Sequence, residues 1–193
     1  MTSYRRRRRP GGTYFFTVHL AAGEPPLLVD HVDLLRWAWA RTCAERPFRC
    51  DAAVVLPDHL HAVWQLPQGD ADFSTRWGAI KSRFTRALKG RMGFNPILRS
   101  PSKALKGDAG LWQRRFWEHC IRDRADHLAH LAYCWNDPVE HGLVAHPEDW
   151  PFSSIHRDVR AGLVDDRGLM AIGTAQVGWV SNPSGCLPTA RTS

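Results

Sequence analysis

The sequence predicts an α+β fold: a small antiparallel sheet in the ferredoxin-like, or split βαβ, arrangement, with helices packed mainly on one face. Three observations carry this. Aromatic and β-branched runs alternate with amphipathic helical stretches in the order β-α-β-β-α-(β)-α. Two of those runs, 48–56 and 59–66, are separated only by the turn pair Pro57-Asp58, which makes them a hairpin. The chain has 193 residues, 44% of them hydrophobic, which suffices for one ordinary domain with a real core.

Taken in order, residues 1–12 form a basic arm: Tyr4, then Arg5, Arg6, Arg7, Arg8 and Arg9, then Pro10-Gly11-Gly12. Consecutive guanidinium groups cannot pack together, so the arm lies in solvent or on an anion. Arginine makes forked bonds to phosphate and to guanine edges. Residues 13–20 (Thr-Tyr-Phe-Phe-Thr-Val-His-Leu) read as the first strand. Pro25-Pro26 breaks the chain, and Asp30 to Arg46 is helical, with Val32, Leu35, Trp39 and Cys43 in one stripe. After the hairpin and a loop at 67–70, Phe73 to Lys89 is a second amphipathic helix. Its stripe is Phe73, Trp77, Ile80, Phe84 and Leu88, and Gly90 follows its end. Arg76, Lys81, Arg83, Arg86 and Lys89 make it basic, which a solvated face explains about as well as nucleic-acid contact does.

Residues 90–110 read as a loop or insertion, and Leu111 to Ile121 as a strand or extended segment. Asp123 to Asp137 is a third helix with Leu128, Leu131, Ala132 and Trp135 facing the core. Asp137-Pro138 marks its end or a kink, and 139–144 is a connector. Residues 149–154 (Asp-Trp-Pro-Phe-Ser-Ser) read as an aromatic clamp in a turn, and patterning fades after Gly162. The expected organisation is an arm at 1–12, one domain at 13–160 and a tail at 161–193.

The net charge of +7 favours an anionic partner, nucleic acid ahead of a membrane surface. No apolar run is long enough to span a bilayer, and the basic N-terminus lacks a signal-peptide pattern. The 5 cysteines are scattered, odd in number and without C-x-x-C spacing. They read as reduced thiols, mostly buried, in a cytoplasmic protein.

The chemistry centres on His59-Leu60-His61. In a strand, residues two apart share a face, so the two imidazoles stand side by side while Leu60 faces the core. That pair is half of a divalent-metal site; the alternative is two satisfied surface histidines. On the third helix, Tyr133 and Asp137 are four apart and share a face. A carboxylate near the negative end of a helix is disfavoured unless a cation lies opposite, so Asp137 is the natural third ligand beside His59 and His61. Two histidines and a carboxylate suit Mg²⁺ or Mn²⁺, and also Zn²⁺ or Co²⁺. Tyr133 is the candidate nucleophile. A phenol is weak at its ordinary pKa but is activated in a positive field beside a bound phosphate. Tyr14 lies in a strand run and Tyr4 in the arginine arm, and neither has a ligand at such spacing. A half-buried core-edge aromatic is the alternative for Tyr133.

Four stretches and a fifth block carry a resemblance: 11–18 (Gly-Gly-Thr-Tyr-Phe-Phe-Thr-Val), 54–64 (Val-Val-Leu-Pro-Asp-His-Leu-His-Ala-Val-Trp), 112–119 (Trp-Gln-Arg-Arg-Phe-Trp-Glu-His), 130–144 (His-Leu-Ala-Tyr-Cys-Trp-Asn-Asp-Pro-Val-Glu-His-Gly-Leu-Val) and 150–154 (Trp-Pro-Phe-Ser-Ser). Together they resemble the REP-associated tyrosine transposases, a branch of the single-tyrosine HUH (His-hydrophobic-His) nucleases, over about residues 4–160. The resemblance implies that His59 and His61 bind the metal, with Mg²⁺ or Mn²⁺ expected. It implies that Tyr133 attacks a single-stranded DNA phosphate, leaving a 5′-phosphotyrosine and a free 3′-OH. Members usually carry an amide side chain four residues after the tyrosine; Asp137 departs from that. The family acts on short palindromic (REP-type) repeats folded as hairpins beside a guide sequence. Arg5 to Arg9 are the best candidates to contact it, with Arg83, Arg114 and Arg115 as further DNA-binding candidates. A monomer is favoured over a homodimer, free of membranes and associated with the nucleoid. The competing readings are a DNA-hairpin-binding protein with idle catalysis and a metal-dependent RNA endonuclease.

Overall fold

The computed structural model describes residues 8–21, 25–92 and 110–164. The elements are β1 (Thr13–His19), a single turn α1 (Leu27–Asp30), α2 (Val32–Glu45), β2 (Arg49–Val55), β3 (His59–Gln65), α3 (Phe73–Met92), β4 (Trp117–Cys120), α4 (Arg124–Glu140), a 3₁₀ turn (Pro147–Asp149) and α5 (Ile155–Arg160). The strands form one antiparallel sheet in the order β2-β3-β1-β4. The α+β, split βαβ expectation therefore holds, with helices on both faces of the sheet and not mainly on one.

Alternation along the strands gives the sheet two different faces. Tyr14, Phe16 and Val18 of β1 and Leu60, Ala62 and Trp64 of β3 point to one of them. There they meet α2 through Leu35, Ala38 and Trp39, and α3 through Phe73, Trp77, Ile80, Phe84 and Leu88. All five residues of the α3 stripe are buried. Trp64 is the hub of this layer. Its ring stacks on Trp77 at 4.2 Å, lies 4.1 Å from Phe48 and meets Phe16 and Trp39 at 5.0 and 5.1 Å. Such contacts add to the area term of aromatic burial.

The opposite face is carried by Phe15, Ala52, Val54 and Val63, and α4 and α5 cover it with Leu131, Cys134, Trp135 and Ile155. The helices that follow β1 and β3 in the chain thus share one face, and the helix that follows β4 takes the other. Asp123 caps α4, its side chain accepting the Asp126 N–H at 2.9 Å.

The segment around 150–154 works as a clamp on β2, at the sheet edge. Trp150 Nε1 donates to the Val55 carbonyl at 2.9 Å, Val55 N–H to the Phe152 carbonyl, and Ser154 N–H to the Ala53 carbonyl. These bonds satisfy backbone groups that an edge strand would leave open.

Two further expectations are corrected. The third helix does not end at Asp137: it runs to Glu140 with Pro138 inside it. Proline costs the helix one amide bond, and this one stands in the last turn. There the His141 N–H still reaches the Asp137 carbonyl at 3.0 Å and the Leu143 N–H reaches the Pro138 carbonyl at 2.9 Å. The buried stripe of α4 is Leu131, Cys134, Trp135 and Pro138, while Leu128 and Ala132 are only half buried. Cys43, Cys50, Cys120 and Cys134 are all unbridged, and Cys50 and Cys134 are buried; Cys186 lies outside the described residues, as do Arg5 to Arg7, most of the 90–110 segment and 165–193. No described helix is long and apolar enough to cross a membrane.

Replacing Trp64 with Ala removes the hub of the aromatic layer and should cost about 3–5 kcal/mol. Denaturant unfolding of the two proteins measures it; a loss below 1 kcal/mol (roughly a surface substitution) would contradict this account of the core.

Candidate active site

β3 is an interior strand whose faces are covered by α2 and α3 on one side and α4 on the other, and alternation sends His59 and His61 to the α4 side. They are 5% and 3% exposed, buried beneath the helix and not satisfied at the surface. Each has its Nδ1 engaged. His59 Nδ1 lies 2.8 Å from Asp58 Oδ1, and His61 Nδ1 lies 2.9 Å from Oγ1 of Thr17, its partner across the β1–β3 ladder. A partner at Nδ1 fixes the ring and leaves Nε2 as the nitrogen free to act. Both Nε2 atoms point to one oxygen, Asp137 Oδ2, each at 3.4 Å.

His61 Nε2 and Asp137 Oδ2 are buried and have no hydrogen-bond partner. Orphaned buried polar atoms are costly, and here three lone-pair donors converge on one gap. Two ligands with bonds of about 2.0–2.1 Å to a common ion stand roughly 3 to 3.5 Å apart, which is the distance of each Nε2 from Asp137 Oδ2. Two imidazoles and a carboxylate at the negative end of a helix are also donors that suit a divalent cation. The group around Asp137 whose ligand atoms all lie within 4.8 Å of one another is His59, Asp137 and His141, with His61 reaching the same Asp137 carboxylate.

The electrostatics agree. Burial opposes charge on His59, yet the Asp137 and Asp58 carboxylates outweigh it and raise the imidazole pKa. Burial likewise opposes charge on Asp137, yet the two imidazoles outweigh it and hold the carboxyl well below the usual range. His19, whose ring stacks on His59 at 4.8 Å, is pushed down by burial and by that neighbouring imidazole.

Tyr133 stands one turn before Asp137, is 42% exposed, and has its ring 5.2 Å from the His61 ring and 5.7 Å from Phe15. Burial, then the charges of Asp137 and Glu140, raise its phenol pKa. Its ring thus stands beside His61, one of the two strand histidines, within the same chain. Tyr14, by contrast, is wholly buried, and its hydroxyl donates to the Arg9 carbonyl at 2.9 Å.

Sequence reasoning missed four neighbours: Thr17, His19, Asp58 and His141. His141 lies one turn beyond Asp137, with Nε2 3.8 Å from Asp137 Oδ1 and its ring 5.2 Å from His59. His59, Asp137 and His141 together form a group able to hold a metal ion, as do His19, Asp58 and His59. The i,i+4 spacing of Asp137 and His141 was the available signal; the assumed helix end at Asp137 concealed it. A further group, His119, Asp126 and His130, lies at the other end of α4. There Asp126 already takes Arg122 Nε at 3.1 Å and the Arg122 N–H at 2.9 Å.

The arginine candidates are spread over the molecule. Arg83 is on the opposite side of the sheet, donating to Thr42 Oγ1 at 2.6 Å and paired with Glu45. Arg114 and Arg115 are exposed, on the segment between Gln113, whose N–H donates to the His19 carbonyl, and Trp117, which pairs with Thr17. Arg8 and Arg9 are exposed at the far end of β1, where Arg9, Arg49, Arg122 and Arg124 line a groove of about 600 Å³.

No family model matches it. A REP-associated tyrosine transposase of Escherichia coli (strain K12) is 44% identical over 163 residues, spanning 84% of this chain and 88% of that protein. The chain belongs to the REP-associated tyrosine transposases. A relative from Haemophilus influenzae assigned to the same family is 43% identical over 162 residues, 83% of this chain and 89% of that one. A solved REP-associated tyrosine transposase bound to a REP hairpin superposes with a TM-score of 0.75 at 40% identity, covering 94% of this chain and 99% of that one. Within this family of DNA-processing enzymes, the present transposase relative brings its tyrosine, its two strand histidines and Asp137 to one place.

Asp137→Asn keeps the shape of the ligand and removes its charge. Calorimetric titration with Mn²⁺ should show affinity at least about 10-fold weaker than wild type, and Thr17→Val should cost about 10-fold by releasing His61. Wild-type affinity should fall as pH drops through the raised His59 pKa, because protonation takes the lone pair. Equal affinity in all three proteins would exclude this set of ligands.

Proposed function

We propose that this protein is a metal-dependent nuclease and strand transferase for single-stranded DNA carrying REP-type hairpins. It acts through a covalent 5′-phosphotyrosine at Tyr133. The observation that carries the reading is the convergence of His59 Nε2, His61 Nε2 and Asp137 Oδ2 beside the Tyr133 ring. The family and the hairpin-bound relative supply the substrate class.

His59, His61 and Asp137 would hold Mg²⁺ or Mn²⁺. When bound, the ion supplies positive charge that polarises the phosphoryl group and offsets the carboxylates that keep the phenol protonated. Everything else belongs to the chain. Tyr133, 42% exposed beside His61, would present its hydroxyl to a DNA backbone that enters from solvent. Its oxygen forms a bond to phosphorus and the bond from phosphorus to the 3′ oxygen breaks. The phenol gives up a proton and the departing 3′ oxygen takes one, so the step conserves phosphate bonds. A second 3′-hydroxyl can then reverse it without a nucleotide cofactor. Asp58 and Thr17 hold the imidazoles in position, and α4 keeps the phenol over them.

Arg114 and Arg115, the basic run Arg5 to Arg9, and the groove lined by Arg9, Arg49, Arg122 and Arg124 would follow the backbone of the hairpin and its flank. Because Tyr133 and His61 are neighbours in one chain, a monomer suffices for the cleavage step.

The test uses wild type and Tyr133→Phe with hairpin oligonucleotides bearing single-stranded flanks. Wild type plus Mg²⁺ should yield a protein–DNA adduct that survives denaturing electrophoresis. Tyr133→Phe should bind the DNA equally well and yield none. Adduct formation by Tyr133→Phe would refute the assignment. Binding by wild type with no adduct would favour a hairpin-binding protein, and cleavage that requires a 2′-hydroxyl would favour an RNA endonuclease.

A further inference from the structure

Three aromatic rings among the described residues are strongly exposed: Trp37, Trp117 and Tyr133. Two of them share a neighbour. Trp117 and Tyr133 lie 5.6 and 5.7 Å from the ring of Phe15, so their centroids are at most twice that apart. The sheet register explains why. His61, Thr17 and Trp117 form one row across β3, β1 and β4. Neighbouring strands are about 4.8 Å apart, so the indole stands about 10 Å along the sheet from the imidazole. Alternation places it on the face that carries the site.

Trp117 also ends a column of parallel rings. It lies 6.0 Å from His119 at 8°, and His119 lies 4.7 Å from His130 at 12°. His130 is in turn 4.9 Å from Phe15. The inner rings are held by Asp126, which receives His119 Nε2 at 2.8 Å and lies 3.3 Å from His130 Nδ1. The column therefore has a braced inner end and an indole 52% exposed at the outer one. Trp117 is on β4, an outer strand of the sheet. Just before it in the chain come exposed Arg114 and Arg115, cations of the kind that follow a nucleic-acid backbone.

We propose that Trp117, backed by His119 and His130, is the stacking platform for a DNA base a nucleotide or two from the phosphate that Tyr133 attacks. The platform fixes the position of the strand over the nucleophile; it reads the flat face of the base and not its hydrogen-bonding edge. This rests on the single-stranded DNA reading given above. A tryptophan left half in solvent makes no comparable contribution to folding, whereas base stacking uses it fully.

The test begins with hairpin oligonucleotides carrying randomised single-stranded flanks, from which wild-type protein selects a sequence by covalent capture. Failure to capture any sequence would defeat the nuclease reading and this inference with it. With a captured sequence, binding is measured by fluorescence anisotropy for wild type, Trp117→Ala and Trp117→Phe, on the intact strand and on strands with single abasic sites through the flank. Trp117→Ala should bind the intact strand about 5- to 100-fold more weakly, and Trp117→Phe should recover most of the loss. One abasic position should weaken wild type by a similar factor and leave Trp117→Ala unaffected. The platform is disproved, with the nuclease reading intact, if Trp117→Ala binds like wild type. It is equally disproved if no abasic position weakens wild type, a result that does not depend on the variant folding, or if the losses in Trp117→Ala and at every abasic position simply multiply.

Discussion

The site depends on how α4 lies over β3. Tyr133, Asp137 and His141 stand on three successive turns of the helix and span about 12 Å, while His59 and His61 are only about 6.6 Å apart along the strand. α4 runs in the opposite direction to β3, so its three turns bracket the imidazole pair. Tyr133 meets His61, Asp137 lies between His61 and His59, and His141 meets His59. Anything that slides the helix by one residue separates these pairs. The chain holds the register at several points: Asp123 caps the helix, Leu131, Cys134 and Trp135 bury against the sheet, and Trp135 Nε1 donates to Ser154 Oγ at 3.2 Å. On the other face, the layer around Trp64 anchors β3 itself. The aromatic core and the chemical face are thus two sides of the same strand.

Charge gives this geometry its meaning. A carboxylate 1% exposed at the negative end of a helix has both burial and the helix dipole against it. Hydrogen bonding does not compensate, since Asp137 Oδ2 and His61 Nε2 are both left without a partner. The imidazoles lower the Asp137 pKa, and the carboxylate raises that of His59 and contributes to raising that of Tyr133. One added positive charge in the gap would offset the buried negative charge of Asp137. The His119–Asp126–His130 cluster shows the contrast, because there the Arg122 guanidinium already supplies it.

Much of this was legible in the sequence because periodicity reports directly on which face is buried. The hairpin at Pro57-Asp58, the α3 stripe from Phe73 to Leu88 and the pairing of Tyr133 with Asp137 all follow from spacings of two, three or four. What failed to show depended on tertiary placement. His59 and His61 read equally well as surface histidines, since nothing local says that a later helix will cover them. Thr17 and Asp58 are ordinary strand and turn residues until the β1–β3 register and the turn bring them to the imidazoles. His141 was hidden by the rule that a proline ends a helix, which the last turn of α4 evades. Arg83 looked like a DNA contact because composition cannot reveal that Glu45 and Thr42 already hold it.

The central claim is that His59, His61 and Asp137 share one divalent cation beside Tyr133. Anomalous diffraction from crystals soaked in Mn²⁺ tests it most directly. The account predicts a peak within bonding distance of both Nε2 atoms and of Asp137 Oδ2. A peak only at the His119–Asp126–His130 cluster, or none in the gap at saturating Mn²⁺, would contradict it.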